Sequence, residues 1–78
     1  MTRPIYEIAR DIMRDPSLDR TSRNTAGPYL SAMLTLAQPS DMYFNERASD
    51  ISRYALGNLK TWRGANARAL KAELRAAL

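Results

Sequence analysis

The side chains of this sequence are better equipped to recognise charge than to break bonds. Histidine and cysteine are both absent, so the residue types that most often move protons or attack as thiolates near neutral pH are missing. A Ser-His-Asp arrangement is therefore impossible, and so is a Cys/His zinc site. Carboxylates stand at helical spacing in Asp11 with Asp15 and in Glu46 with Asp50. Each pair has arginine neighbours (Arg10, Arg14, Arg47, Arg53), the pattern of a solvated helix face rather than of an acid-base pair. Gly27, Gly57 and Gly64 are isolated from one another, so no phosphate-cradling glycine loop exists, and no calcium-loop spacing is present. No catalytic, cofactor-binding or metal-binding residue can be named, and the reading is of a non-enzyme.

What remains is charge, and it is unevenly placed. From Ile51 to Leu78 there are six basic residues (Arg53, Lys60, Arg63, Arg68, Lys71, Arg75) and one acid, Glu73, a net of +5. The first fifty residues sum to −1 within a total of +4. Arg68, Lys71 and Arg75 sit at i, i+3 and i+7, so they line one face if the segment is helical. Arg63 lies just before them in Trp62-Arg63-Gly64, where Trp62 is either an interface anchor or a plug between two helices. Met42, Tyr43 and Phe44 are consecutive and cannot share one helix face, so at least one is exposed, with Tyr43 a candidate contact. The basic face fits three situations: plain solvated surface, an acidic protein partner, or nucleic acid. Against the last, aromatics are not interleaved with the cations as a single-strand groove requires, and no helix-turn-helix spacing is evident.

These residues need a scaffold, and the scaffold reads as all-α: a small single domain, 1–78, of three to four helices. The first helix spans about Arg3 to Arg14, with Thr2 as N-cap, Pro4 in the first turn and Ile5, Ile8, Ala9 and Ile12 as its apolar stripe. Asp15-Pro16 ends it. Ser17 to Ala26 is polar and rich in capping residues, and is read as a loop with Leu18 tucked onto the core. A second helix opens at Gly27-Pro28 and runs to about Ala37. Tyr29, Leu30, Met33, Leu34, Leu36 and Ala37 make it apolar nearly all round, which marks a buried, central helix. Asp41 then caps a short helical piece holding Met42, Tyr43 and Phe44. The third helix, Asn45 to about Lys60, contains Gly57, where a neighbouring backbone is expected to approach. The fourth, Ala65 to Leu78, buries Ala67, Leu70 and Leu74. Valine is absent and no period-two run marks a strand.

At 78 residues the chain buries only about 60–65% of its unfolded surface, so core packing alone supplies little net stability. Without cysteine there are no disulfides to add, which fits a reducing cytoplasm. No apolar run approaches the roughly 20 residues that span a bilayer, and no targeting segment is recognisable.

Two long stretches carry a family likeness. They are Asp-Met-Tyr-Phe-Asn-Glu-Arg-Ala-Ser-Asp-Ile-Ser-Arg-Tyr-Ala-Leu-Gly-Asn at 41–58 and Thr-Trp-Arg-Gly-Ala-Asn-Ala-Arg-Ala-Leu-Lys-Ala-Glu-Leu-Arg at 61–75. With Arg-Pro-Ile-Tyr-Glu-Ile-Ala-Arg at 3–10 and Pro-Tyr-Leu-Ser-Ala-Met at 28–33, the chain resembles short helical proteins of phages and plasmids, and among them the type I anti-CRISPR proteins. That resemblance implies a non-enzymatic inhibitor in the cytoplasm of a bacterial host. It would dock on a Cascade-type complex and keep it from target DNA. The alternative is a small basic nucleic-acid-binding or regulatory protein of such an element. Inhibitors that mimic DNA are acidic and this chain is basic, so the implied contact is with an acidic or apolar surface, or with DNA or guide RNA directly.

Overall fold

Local chemistry sets the first helix. Isoleucines three and four residues apart form a single stripe, and a computed structural model, which describes residues 3–78, winds that segment into α1, Ile5–Arg14. Ile5, Ile8, Ala9 and Ile12 are all fully buried. Pro4 occupies the N-cap position rather than the first turn, so the helix starts two residues later than expected, and Thr2 lies outside the described residues. The first free amides of α1 find backbone partners instead: Ile5 N–H donates to the Ala37 carbonyl at 3.0 Å and Tyr6 N–H to that of Leu36 at 2.9 Å. The helix ends at Asp15, as the following proline requires.

The expected loop over 17–26 is largely helix. Asp19 is an N-cap whose carboxylate accepts from the Ser22 N–H at 3.1 Å, and α2 runs Arg20–Met33 from there. Of the polar run, only Asp19 caps this helix. Thr21, Arg23, Asn24 and Thr25 face solvent, while Ser22, Ala26, Leu30 and Met33 form the buried stripe. Pro28 is inside the helix rather than at its start. It offers no N–H to the Asn24 carbonyl, a loss that normally costs about 3 kcal/mol. Both residues are exposed, so water reaches the freed carbonyl. Nor is this helix apolar all round: Leu34, its C-cap, is 41% exposed.

The expected helical piece at 42–44 is a β-hairpin. β1, Met42–Tyr43, pairs antiparallel with β2, Glu46–Arg47, in the register Met42 to Arg47 and Tyr43 to Glu46. Asp41 caps no helix here. Its carboxylate accepts the Ala37 and Gln38 N–H groups, each at 2.9 Å, and its carbonyl accepts from Ala48 at 2.7 Å. α3 therefore starts later than expected and is shorter, Ala48–Gly57. Gly57 ends it in open space, with no close backbone neighbour. A turn through Lys60 leads to Gly64, whose φ of +115° suits glycine, and α4 follows as Ala65–Ala76.

α2 packs against α1 and α3, and α1 also packs against α4. One continuous core holds Ile5, Ile8, Ile12, Leu30, Met33, Ile51, Leu59, Trp62 and Leu74. The described residues thus form a small helical domain with one minor hairpin. No helix among them is long and apolar enough to cross a membrane.

Candidate functional site

Trp62 sets the geometry of the basic end. It is 1% exposed and the largest fully buried side chain, so the structure places it as the plug of the α3–α4 corner, and its indole is out of reach as an interface anchor. Its Nε1–H donates to the Ser17 hydroxyl at 2.9 Å, and that hydroxyl donates to Asp15 at 2.6 Å. Ser17 N–H also reaches Asp15, at 2.9 Å. The hydroxyl and amide of Ser17 hold the Asp15 carboxyl below the usual carboxylate range. With Trp62 turned inward, Arg63 beside it faces solvent.

Four expected residues meet around one depression. Arg63, Arg68, Lys71 and Arg75 line a cavity of about 340 Å³, together with Trp62, Gly64 and Ala67, and no acid lines it. Arg63, Arg68 and Arg75 are exposed. None of them has a side-chain hydrogen bond or ion pair among the described residues.

Lys71 differs from its neighbours. Its ammonium donates to the Leu59 carbonyl at 2.7 Å and to the Trp62 carbonyl at 2.6 Å, and stands 5.8 Å from the Trp62 ring centre. It therefore pins α4 to the turn after α3, a structural duty that helical spacing does not reveal. An ammonium has three N–H donors, so one remains. Burial lowers the Lys71 pKa, Arg75 and Arg63 lower it further, and Asp19 offsets part of the effect. The cavity therefore concentrates positive charge in a partly desolvated place.

The acid in this segment is occupied elsewhere. Glu73 accepts two bonds from Arg3, Nε to Oε2 and Nη2 to Oε1, both at 2.7 Å, and Arg3 Nη1 reaches Asp11 at 2.6 Å. The bond from Arg3 pulls the Glu73 pKa down, and the two carboxylates raise that of Arg3. Sequence offers no hint of this clamp, because its members are far apart in the chain.

Tyr43 does not line the cavity. It lies in the hairpin, 36% exposed, with its ring 4.9 Å from that of Phe44 in an edge-on arrangement. Phe44 is 87% exposed with φ at +58°, a backbone state that costs an ordinary L-residue roughly 1–2 kcal/mol. A second interhelix bridge joins Asp19, Thr61 and Ser22: the Thr61 hydroxyl donates to Asp19 at 2.8 Å and lies 3.0 Å from that of Ser22. Among the described residues no His, Cys, Asp or Glu cluster could hold a metal ion.

Fold and site together define a small helical domain with an open, cation-lined depression at one corner. No protein-family model, curated protein or solved structure matches the chain.

Proposed function

We propose that this protein is a non-enzymatic binding protein that docks through the Arg63, Arg68 and Arg75 face on an anionic surface of a larger complex. The observation that carries the reading is the set of uncompensated cations around one depression. Surface arginines with free donors cost solubility nothing and serve recognition of acidic or phosphate-bearing surfaces. The resemblance to type I anti-CRISPR proteins makes a Cascade-type complex in a bacterial cytoplasm the proposed partner, and prevention of target-DNA binding the proposed outcome. Direct nucleic-acid binding is the second reading, favoured by the accessibility of the same guanidinium groups.

A gel shift tests this. Protein added to a type I Cascade complex before target DNA should abolish the complex-DNA band, and free protein should leave bare DNA unshifted at physiological salt. Arg68→Glu with Arg75→Glu should remove the inhibition while keeping the helical circular dichroism spectrum, because like charges then face the acidic surface. Tight binding to bare DNA without any effect on Cascade would replace the first reading by the second.

A further inference from the structure

We infer that the depression beside Trp62 is a binding site for a phosphate group, the chemistry by which the basic face would recognise its partner. This deepens the reading of that face given above. Three features separate the site from a generic basic surface. First, the cations are concentrated: Arg63, Arg68, Lys71 and Arg75 converge on one cavity, and no carboxylate lines it. A lone carboxylate brings one charge to four. A phosphate brings up to about two charges and three strong acceptor oxygens. Second, the donor set is mixed in the way phosphate sites use. The arginines supply planar forks and Lys71 a compact point charge. Third, the lysine is fixed before any ligand arrives. The Leu59 and Trp62 carbonyls hold its ammonium at 2.7 and 2.6 Å, which leaves one N–H and spares the entropy of ordering a long side chain.

The cavity volume of about 340 Å³ exceeds the roughly 30 Å³ share of one water by an order of magnitude. It therefore has room for a phosphate with solvent around it. Arg75 also borders a second depression of about 370 Å³ with Arg53, Leu56 and Leu78. Arg75 is thus common to the two depressions, the place where a ligand with consecutive phosphates would extend. A pyrophosphate and a nucleic-acid backbone both present consecutive phosphates, the backbone with one charge on each, and the probes below separate them.

Trp62 is the sole tryptophan and borders the site, so its fluorescence reports occupancy. The protein is titrated at fixed ionic strength with inorganic pyrophosphate, with a short thymidine oligonucleotide and with polyglutamate. A saturable change with pyrophosphate, at a Kd of about 1 mM or tighter, supports the site and a compact phosphate ligand. A change with the oligonucleotide alone supports the site and assigns it to a phosphodiester backbone. An equal response to polyglutamate, or no saturable response to either phosphate probe, overturns it. Arg68→Gln with Arg75→Gln should weaken binding by at least about tenfold, whereas Arg10→Gln with Arg20→Gln, which removes the same charge from α1 and α2, should change it little. Equal weakening by both pairs would mean attraction to net charge and no site. A measurement on the unmodified protein guards against misfolded variants: the Lys71 ammonium, followed by NMR, should titrate at higher pH with pyrophosphate bound. An unmoved titration overturns the proposal. Because the titration needs no partner complex, a negative Cascade gel shift leaves it standing, and a negative titration leaves the gel-shift result standing.

Discussion

Replacing Lys71 by methionine separates the two duties of the basic face. The substitution keeps most of the apolar stem and removes the ammonium. Two bonds vanish, to the Leu59 and Trp62 carbonyls. Leu59 O keeps a donor, the Trp62 N–H at 3.1 Å, so the Trp62 carbonyl is the group left without its described partner. Bonds from charged donors contribute about 1.5–3 kcal/mol each, and water reaches this half-buried site and replaces part of that. Relief of repulsion from Arg75 and Arg63 offsets a further part. A net loss of about 2 kcal/mol results, which for a domain of this size lowers Tm by about 8–16 °C. Arg68→Met, on the same face but with no bond to lose, should shift stability by less than about 0.5 kcal/mol. Thermal melts followed by circular dichroism compare the two. Equal melting temperatures for Lys71→Met and the unmodified protein would refute the claim that this lysine pins α4 to the turn.

Core positions divide sharply along α2. Leu30→Ala, at 1% exposure, should cost about 2–5 kcal/mol, whereas Leu34→Ala, at 41% exposure, should cost under about 1 kcal/mol; urea unfolding of both tests the order. Acid should destabilise the fold. Asp15, Asp19, Asp41 and Glu73 all have lowered pKa values, chiefly from Ser17, Ser22, the Gln38 amide and Arg3 respectively. A carboxylate with a depressed folded pKa stabilises above its unfolded value, about 4, and loses that contribution as pH falls through the folded value. Tm should therefore be flat near neutrality and fall below about pH 4; a Tm that rises on acidification would contradict the bonding described. Phe44→Asn should raise Tm by about 2–4 °C, since asparagine tolerates positive φ and the gain of roughly 0.5 kcal/mol outweighs a solvent-exposed ring contact. A lower Tm would show that the Phe44 ring supports the fold.

The parts of this fold that sequence discloses are those where side chain and backbone preference agree. Ile5, Ile8, Ala9 and Ile12 have no plausible arrangement except one helix face, and Asp15-Pro16 has no helical continuation. The Ser17–Ala26 stretch is ambiguous for a physical reason. Ser, Thr, Asn and Asp bond their own backbone equally well in a cap, a turn or the first turns of a helix. Here Asp19 alone caps α2, and Ser22 is core because Thr61 and Asp19 satisfy it from outside the helix. Pro28 looks like a helix start because it is favourable there. Packing of Ala26, Leu30 and Met33 on either side keeps it in the interior instead. The hairpin is silent because each strand has two residues and its turn uses Phe44 where glycine is usual. In the candidate site, the convergence of Arg68, Lys71 and Arg75 is legible from spacing. The binding of Lys71 is not, because its partners are main-chain carbonyls and leave no mark on composition.

The segregation of charge in the folded protein is sharper than in the chain. Along the sequence Glu73 sits between Lys71 and Arg75, but at two residues from each it is expected to point away from their face. In the structure it is drawn to the opposite side of α4, where Arg3 takes both of its oxygens and Asp11 takes the remaining arm of Arg3. That side carries one cation and two anions within bonding distance. The other side carries four cations and no lining anion. The clamp is about two-thirds buried at best, so its direct effect on stability is small. Glu73 is two residues from Lys71 and two from Arg75, so the winding of α4 already turns it away from the cavity, and Arg3 then ties the one acid of the last twenty-eight residues to α1. Arg3→Ala should therefore change pyrophosphate binding little, because the helix still holds Glu73 on the far side. A marked loss of binding that Glu73→Gln restores would show that the clamp, and not the helix, sets the field of the cavity, since a loss caused by damaged packing between α1 and α4 would persist in the double variant.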